Sequence, residues 1–343
     1  MIEKRKEFRN LAIGFMLIIS HFGLAQIDSL YLANNEILIG ELKSMNRNVA
    51  VMETDYSDAD FKIVWDKIKR LATQSQFLIT LKSGDRYFGS LKGNSTKVMI
   101  YTDTTSVNAG SIENIVYLKE LDQSFWERLN ASLSLGYNYT KANNLSQFSI
   151  RSHLTYATRK WLSSVNYNQI FSEQNEANTT RRLDAKALFN YFFKKKWFAA
   201  AEINWLSNTE QNINLRTLSK LGIGRYMIQT NTMYWAFQTG VSFNNESFNV
   251  DNNLIYNNSA EAYLGTEANL YDIGDLNLLA RAVVYPSITE SKRFRTDLNF
   301  DVQYDLPLDF FIQLGISLNY DNQPAQDGSE TDYVFQTTFG WSL

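Results

Sequence analysis

Few side chains in this sequence have the types and spacing that catalysis needs. His153 is the only histidine after residue 25, and cysteine is absent, which excludes a thiolate metal site, a disulfide framework and a lipoprotein anchor. Alternation with its apolar neighbours places His153 on the polar face of its segment, where a Ser-His-Asn hydrolase site directed at lipid does not fit. We therefore expect no enzyme, no cofactor and no metal site.

The same polar face carries a balanced set of charged side chains. The seven basic residues are Arg151, Arg182, Lys186, Arg216, Lys220, Arg281 and Arg295. The six acidic residues are Asp184, Glu202, Glu261, Glu267, Asp297 and Asp301. Such a set either forms ion pairs across a narrow interior, which we favour on size, or sets up a transverse field in a small pore. In the second case the basic strands near Arg182–Lys220 would lie opposite the acidic strands near Glu261–Asp301.

Alternating stretches between residues 122 and 343 must position these charges. Clear examples are LNASLSLGYNYT, RLDAKALFNY and WFAAAEINW, in which apolar residues recur at every second position and aromatic residues stand near the ends. Strands of this length with one apolar face are typical of membrane β-barrels. The predicted fold class is all-β, with a transmembrane antiparallel β-barrel of about 12 strands.

The connections between these stretches alternate between tight and long. The tight ones are Thr158–Lys160, Lys194–Lys196, Gln229–Thr232, Tyr271–Asp275 and Leu306–Asp309. The long, polar ones are Ser172–Thr180, Asn244–Asn258 and Asn322–Asp332. Tight turns in the periplasm and long loops outside are the outer-membrane pattern, and an even strand count returns the C-terminus to the periplasmic side.

The last stretch, DYVFQTTFGWSL, is predicted to close the barrel. Its apolar face is formed by Tyr333, Phe335, Phe339, Trp341 and Leu343. A terminal strand leaves one hydrogen-bonding edge free, and a free edge in lipid is costly. We therefore expect this strand to pair with the first strand of the same domain.

Residues 1–25 have the features of a signal peptide, with four basic residues before an apolar run that ends in Ala25. Their removal takes away four basic and two acidic residues, so the formal net charge changes from −3 to −5. An exported, mildly acidic chain is a poor match for nucleic acid. We expect residues 26–121 in the periplasm and residues 122–343 in the outer membrane.

The segment from residue 26 to residue 121 contains an internal repeat. YLANNEILIGELKS aligns with TLKSGDRYFGSLKG, and the alignment continues until Ile68 matches Ile112. Each copy is predicted to form a hairpin, turned at Asn34–Asn35 or at Ser83–Asp85, followed by two more strands. Two copies are too few for a solenoid, so we expect a small SH3-like or Sm-like β-barrel or a pseudo-dimer. A folded spacer without a ligand is equally consistent with this pattern.

Taken together, the export signal, the duplicated module and the aromatic strands that end in TTFGWSL resemble the salt-induced outer-membrane proteins, a domain-of-unknown-function family (family 481). The resemblance chiefly covers residues 122–343, and here an N-terminal periplasmic β-module is added. It implies a barrel fold and a Gram-negative outer membrane, and it offers no catalytic residues. The partners expected are outer-membrane lipid, the barrel-insertion machinery through the C-terminal strand, and a periplasmic protein or glycan.

Two functions remain open at this point, with an outer-membrane enzyme as a third, weaker alternative. The leading one is a narrow channel or an envelope structural or stress protein with a periplasmic docking module. The alternative is a periplasmic binding or adaptor module that a closed, non-conducting barrel anchors. Conduction separates the narrow channel from the anchored module, because only a channel needs an open path through the barrel.

Overall fold

A computed structural model describes residues 27–121, 125, 128–141, 144–174, 179–209, 213–250, 253–323 and 330–341 of the chain. The predicted signal peptide and Leu343 lie outside these residues. In the described part the chain is all-β, as predicted, with strands joined by turns and short 3-10 segments. No helix in these ranges is long and apolar enough to span a membrane.

The strands belong to two domains, an N-terminal module and a larger sheet. The module contains β1 (Asp28–Leu32), β2 (Ile37–Asn46), β3 (Val49–Glu53), β4 (Phe61–Val64), β5 (Ile68–Ala72), β6 (Phe77–Leu81), β7 (Arg86–Asn94), β8 (Val98–Tyr101), β9 (Ser106–Gly110) and β10 (Ile115–Glu120). The sheet contains β11 (Leu129–Thr140), β12 (Leu145–Ala157), β13 (Trp161–Glu173), β14 (Thr180–Phe192), β15 (Trp197–Asn208), β16 (Ile213–Gln229), β17 (Met233–Val250), β18 (Asn253–Ile273), β19 (Leu276–Pro286), β20 (Phe294–Asp305), β21 (Phe310–Asp321) and β22 (Thr331–Trp341).

Six module strands form a closed barrel in the order β1-β5-β7-β6-β10-β2, and β2 pairs back to β1. Strands β1–β5 come from the first copy of the repeat and β6–β10 from the second. The ladders β5–β7 and β10–β2 join the two copies, and exchanging the copies leaves the strand order unchanged. Each copy therefore supplies half of a barrel that it cannot close alone, which explains why two copies suffice.

Equivalent turns in the two copies support the repeat. Asn35 and Gly84 both adopt the left-handed conformation, with φ of 70° and 86°, where the sequence predicts hairpin turns. The closing strands, however, correct the alignment made from sequence. A 3-10 turn precedes each of them, so Ile68 corresponds to Ile115 and not to Ile112. These 3-10 turns interrupt the period-two pattern of the strands. The alignment made from sequence therefore paired Ile68 with a residue of the second 3-10 turn, three positions before its true equivalent.

Trp65 occupies the centre of the module core. Its side chain is fully buried, and its indole N–H donates a hydrogen bond of 3.0 Å to the carbonyl oxygen of Ile112 in the other copy. Leu42 and Leu91, at matching positions of the two copies, are also fully buried in this cluster. The repeat thus encloses a hydrophobic core shared by both copies.

The second domain is one antiparallel sheet whose twelve strands follow sequence order from β11 to β22, as predicted. In such a meander, alternate connections lie at the same end of the sheet. Connections 158–160, 193–196, 230–232, 274–275 and 306–309 are short and define the tight-turn end. The longer connections, including 174–179 and 287–293, define the opposite, loop end.

One predicted loop is largely strand. Within the predicted loop Asn244–Asn258, β17 continues to Val250 and β18 starts at Asn253, so the loop prediction there was wrong. The ladder includes Asn245 opposite Asn258, whose side-chain amides also hydrogen-bond to each other. Asparagine-rich sequence suggested a loop, but ladder bonds use backbone groups, which asparagine supplies like any residue. The hairpin β17–β18 therefore extends the sheet at the loop end.

The predicted pairing of the last strand with the first is not present. In the described residues β22 pairs with β21 alone and β11 with β12 alone, which leaves two free edges that we call the seam. Most side chains of both edge strands are exposed on both faces. The prediction failed because a period-two pattern fixes which face of a strand is apolar, whereas it carries no information on the pairing of its second edge.

Away from the seam, large buried side chains lie on the inner surface of the sheet, around a cavity of about 310 Å³. Tyr263 and Tyr285 are 4% and 2% exposed, and their ring centroids lie 6.3 Å apart. The hydroxyl of Tyr263 reaches Gly222, which lies two strands away on β16, and any Cβ at Gly222 would overlap it. Glycine at this position lets the Tyr263 side chain extend across to β16.

Candidate binding site between the two domains

The N-terminal module packs against the tight-turn end of the sheet. A small apolar cluster contains Leu78 and Leu121 from the module side and Ala157 from the end of β12, with Tyr117 and Leu162 packed against it. Burial of these side chains gives the two domains a direct hydrophobic contact. The module therefore covers the tight-turn end of the sheet.

Arginine–aromatic contacts connect the domains around this cluster. The pairs are Arg86 with Phe192, Arg47 with Tyr271 and Arg128 with Phe88, with Cζ-to-centroid distances of 4.2, 4.9 and 5.0 Å. Each pair has one member in the module and one in the second domain. A guanidinium over a ring contributes about 0.5–2 kcal/mol, with the larger values at desolvated sites.

Two tight turns also meet directly. Gly84, in the β6–β7 turn, lies so close to the backbone of Lys196 that an added Cβ would be 2.7 Å from the Lys196 nitrogen. Nearby, the side-chain amide of Asn231 donates a hydrogen bond of 3.5 Å to the carbonyl oxygen of Glu113. Only glycine fits at position 84, because a side chain would disfavour the positive φ and would clash with the backbone of Lys196.

A cavity of about 330 Å³ lies between the domains. Its basic side chains are Arg47, Arg86 and Lys196, and the aromatic rings of Trp197 and Tyr226 form part of its wall. Among the described residues, no carboxylate lines this cavity. The combination of cations and aromatic rings with no acid is suited to an anion that carries an apolar part.

Arg86 is the most buried cation in this cavity wall. Burial lowers the pKa of Arg86 to about 10, although the neighbouring Tyr117 and Tyr226 raise it, so the side chain stays charged at neutral pH. Its Nη1 atom is buried and has no hydrogen-bond partner among the described residues. A buried guanidinium nitrogen without an acceptor is costly, which makes this atom a candidate contact for a ligand.

A chain of polar contacts crosses the interior of the sheet beyond this cavity. Lys186 Nζ lies 2.8 Å from one carboxylate oxygen of Glu202, and Lys220 Nζ lies 3.9 Å from the other. Lys220 also donates a hydrogen bond of 3.1 Å to the hydroxyl of Tyr285. Because Lys220 is on β16 and Tyr285 on β19, this bond joins strands that are not neighbours.

Glu261 forms the second half of this interior network. Its side chain is 1% exposed and accepts two hydrogen bonds of 2.7 Å from Arg295 and one of 3.2 Å from Ser242. The guanidinium of Arg295 lies 5.1 Å from the ring centroid of Tyr285. Tyr285 therefore contacts both halves of the network, and the buried carboxylate has the geometry that a buried ion pair requires.

Other predicted interior charges form local contacts. Arg182 pairs with Asp184 at 2.8 Å on the same strand, and both side chains are exposed. Arg216 pairs with Glu246, and Glu267 accepts a hydrogen bond from Tyr234. In these contacts and in the network above, acidic side chains lie beside basic or hydroxyl groups.

The remaining predicted charges lie near the network or the seam. Arg281 and Asp297 interact with Tyr285, and Asp301 lies over Gly315. Arg151 and His153 line an open cavity near the seam.

The side chain of His153 is held by its neighbours. One ring nitrogen lies 2.6 Å from the side-chain oxygen of Asn166, and the other lies 2.8 Å from the hydroxyl of Thr155. Both ring nitrogens thus have partners, as predicted for a satisfied histidine, but the residue is exposed and not buried in the interior.

Sequence reasoning missed several residues that the structure places in these sites. Arg47 and Arg86 lie in the module, and the alternation of apolar and polar residues there does not show which residues contact another domain. Glu246 fell inside the predicted loop. Tyr285 ends an alternating stretch and so looked like an interfacial aromatic residue, but it shares its face with Arg281, and that shared face could have indicated an inward position.

A family model described as "Protein of unknown function, DUF481" matches residues 133–343, which is nearly the whole sheet domain. The chain belongs to the DUF481 family. No curated protein matches it. In this DUF481 protein, the interior network lies inside the matched range, whereas Arg47 and Arg86 lie in the N-terminal module outside it.

The Glu261–Arg295 pair gives a first test of the interior of the DUF481 sheet. Glu261→Gln removes the buried counter-charge of the partly buried Arg295 guanidinium, so we expect a loss of about 3 kcal/mol in the free energy of unfolding. The matched change Asp184→Asn breaks an exposed pair and should cost less than about 1 kcal/mol. Denaturant unfolding in detergent, followed by circular dichroism, measures both. Equal losses in the two variants would contradict the larger contribution that we assign to the Glu261–Arg295 pair in the free energy of unfolding.

Proposed function

We propose that this DUF481 protein is an outer-membrane β-barrel protein whose barrel anchors a periplasmic binding module and does not conduct. The observation that carries the proposal is the position of the module, which covers the tight-turn end of the sheet through arginine–aromatic contacts and the Gly84 turn. An open channel needs a free path at both ends of its barrel. The module and the interior network both stand in that path.

The exposed surface of the sheet supports a membrane location. Large apolar side chains at alternate positions are exposed, among them Leu221, Ile223, Phe243, Phe335 and Phe339 at 52–68%. So continuous an apolar face on a water-soluble domain is unusual. Exposed aromatic rings, including Trp197, Phe310 and Trp341, lie near the tight-turn end, as in an aromatic girdle.

The arrangement of connections supports an orientation. In outer-membrane barrels the short turns face the periplasm and the long loops face outward. The module lies at the tight-turn end, so the same orientation puts it in the periplasm, where an export signal would deliver it. A periplasmic protein or glycan would then be the partner of its free surface.

The seam supports a role for the insertion machinery as a partner. Backbone N–H and C=O groups along a free edge are not tolerated in hydrocarbon, so the edges of β11 and β22 require a partner strand in the membrane. The edge of β22 is free along a strand of eleven residues. That edge offers the insertion machinery a template for strand pairing, and pairing of β22 with β11 would then close the barrel.

A pair of substitutions on β22 tests the membrane location. Phe335, on the exposed apolar face, would meet lipid, so Phe335→Arg should cost roughly 2–4 kcal/mol at the bilayer midplane and lower the folded fraction in liposomes. Thr338 is on the opposite face and partly buried, so Thr338→Arg should be milder. The folded fraction is read from heat-dependent gel mobility. Equal losses, or a larger loss from Thr338→Arg, would contradict a lipid-facing side.

Conductance separates the anchored module from the narrow channel. Full-length protein should be silent in planar bilayers, because the covering module and the Lys220–Tyr285 contact obstruct the path. Insertion is verified in vesicles that contain the same protein, where an added protease should cleave it on one side of the membrane only. Stable ohmic steps from verified, inserted protein would contradict the proposal and favour the narrow channel.

A further inference from the structure

Positive charge accumulates where the module meets the tight-turn end. The 330 Å³ cavity adjoins a second of the same size, with Arg86, Phe192 and Phe193 in the walls of both. The basic side chains of the two walls are Arg47, Arg86, Arg159, Lys160, Lys194 and Lys196, against the single acidic side chain of Asp85. The carboxylate of Asp85 accepts a hydrogen bond from Ser83. This surplus of positive charge differs from the interior network, where each buried acid has a basic or hydroxyl neighbour.

Arg86 is held in place on one side and free on the other. Its guanidinium stacks over Phe192 at 4.2 Å, whereas Nη1 is buried without a hydrogen-bond partner in the described part of the chain. A planar guanidinium whose position is fixed by a ring presents its remaining N–H groups in a fixed direction. Phosphate oxygens match that geometry, because they accept two parallel hydrogen bonds from one guanidinium.

Lys196 adds a second cation to the same cavity. Burial lowers its pKa, and the neighbouring charges of Lys82 and Arg225 lower it further. The positive charges of Lys82 and Arg225 repel that of Lys196, which makes the cavity without a bound anion less favourable. An anion bound at Lys196 would offset its charge and reduce this repulsion.

Aromatic rings form a large part of the remaining cavity wall, beside aliphatic and uncharged polar side chains. Phe193 and Trp197 are about half exposed, at 49% and 42%, and lie at the outer rim of the tight-turn end, while Tyr226 and Tyr234 lie deeper. An organic group attached to the anion would contact these rings. The rim position is also where a girdle residue meets lipid headgroups.

We propose that the site between the two domains binds a phosphate ester, with the phosphate on Arg86 and Lys196 and the organic part against the aromatic rings. A phospholipid headgroup and a free phosphate ester have this chemistry in common. The headgroup as source rests on the proposed membrane location, whereas the anion site does not depend on it.

Calorimetric titration of the full-length protein in a neutral maltoside detergent tests the site. The probes are inorganic phosphate, glycerol 3-phosphate, a short-chain phosphatidylglycerol and, without phosphate, a short-chain diacylglycerol. We expect saturable binding of at least one phosphate-bearing probe and none of diacylglycerol. Arg86→Gln and Lys196→Gln should each weaken binding about tenfold or more, because each removes a charge-assisted contact.

Two variants provide matched controls for the loss of one positive charge. Lys62→Gln changes an exposed lysine elsewhere in the module, and Lys292→Gln changes one at the loop end; both should bind like the unmodified protein. Heat-dependent gel mobility checks the fold of every variant. If Arg86→Gln fails to fold, Lys196→Gln alone decides, because Lys196 lies in a turn and its side chain is only partly buried.

The probes distinguish the sources of the phosphate. Binding of glycerol 3-phosphate or inorganic phosphate as tightly as the lipid supports a free ester, and binding of the lipid alone supports a headgroup. No saturable binding of any phosphate-bearing probe overturns the proposal, as does an equal loss in the Lys62→Gln control. These measurements need neither a bilayer nor an orientation, so their failure is distinct from a failure of the conductance test.

Discussion

The close approach of two turns, at Gly84 and at Lys196, is the constraint on which the rest of the structure depends. It leaves no room for a Cβ at Gly84, so it fixes the module against the tight-turn end at one point. Beside this contact, the guanidinium of Arg86 lies over the ring of Phe192, and that of Arg47 lies over the ring of Tyr271. The covered end of the sheet, the cavity between the domains and the unpartnered guanidinium all follow from this contact.

The interior of the sheet is organised differently at its two sides. Around Tyr285, the Lys220 and Arg295 contacts connect strands β16 to β20 through side chains. Near the seam, polar residues of β11 and β12 stay exposed and the edges stay unpaired. One side of the sheet is therefore connected across several strands by side chains, whereas the described edges of β11 and β22 stay unpaired.

Sequence patterns predicted the elements well because period and turn chemistry are local. Alternation located twelve strands, and the repeat indicated a module with turns at Asn35 and Gly84. Patterns failed where the outcome depends on partners distant in sequence. Closure at β22, the pairing of Asn245 with Asn258 and the match of Ile68 with Ile115 depend on edges, ladders and 3-10 turns that alternation does not encode. The site between the domains was missed for the same reason, since no local signal marks Arg86 as buried.

The central claim is that the module covers the tight-turn end of the sheet, and proximity of the two domains in the folded, full-length protein tests it most directly. The native chain has no cysteine, so Glu113→Cys with Asn231→Cys introduces a single pair at the contact between Glu113 and Asn231. A short bismaleimide added to the purified, folded protein should join the two cysteines within one chain, and the loop-end control pair, Glu113→Cys with Lys292→Cys, should remain unjoined. Absence of the first cross-link, or equal cross-linking of the control pair, would contradict the account.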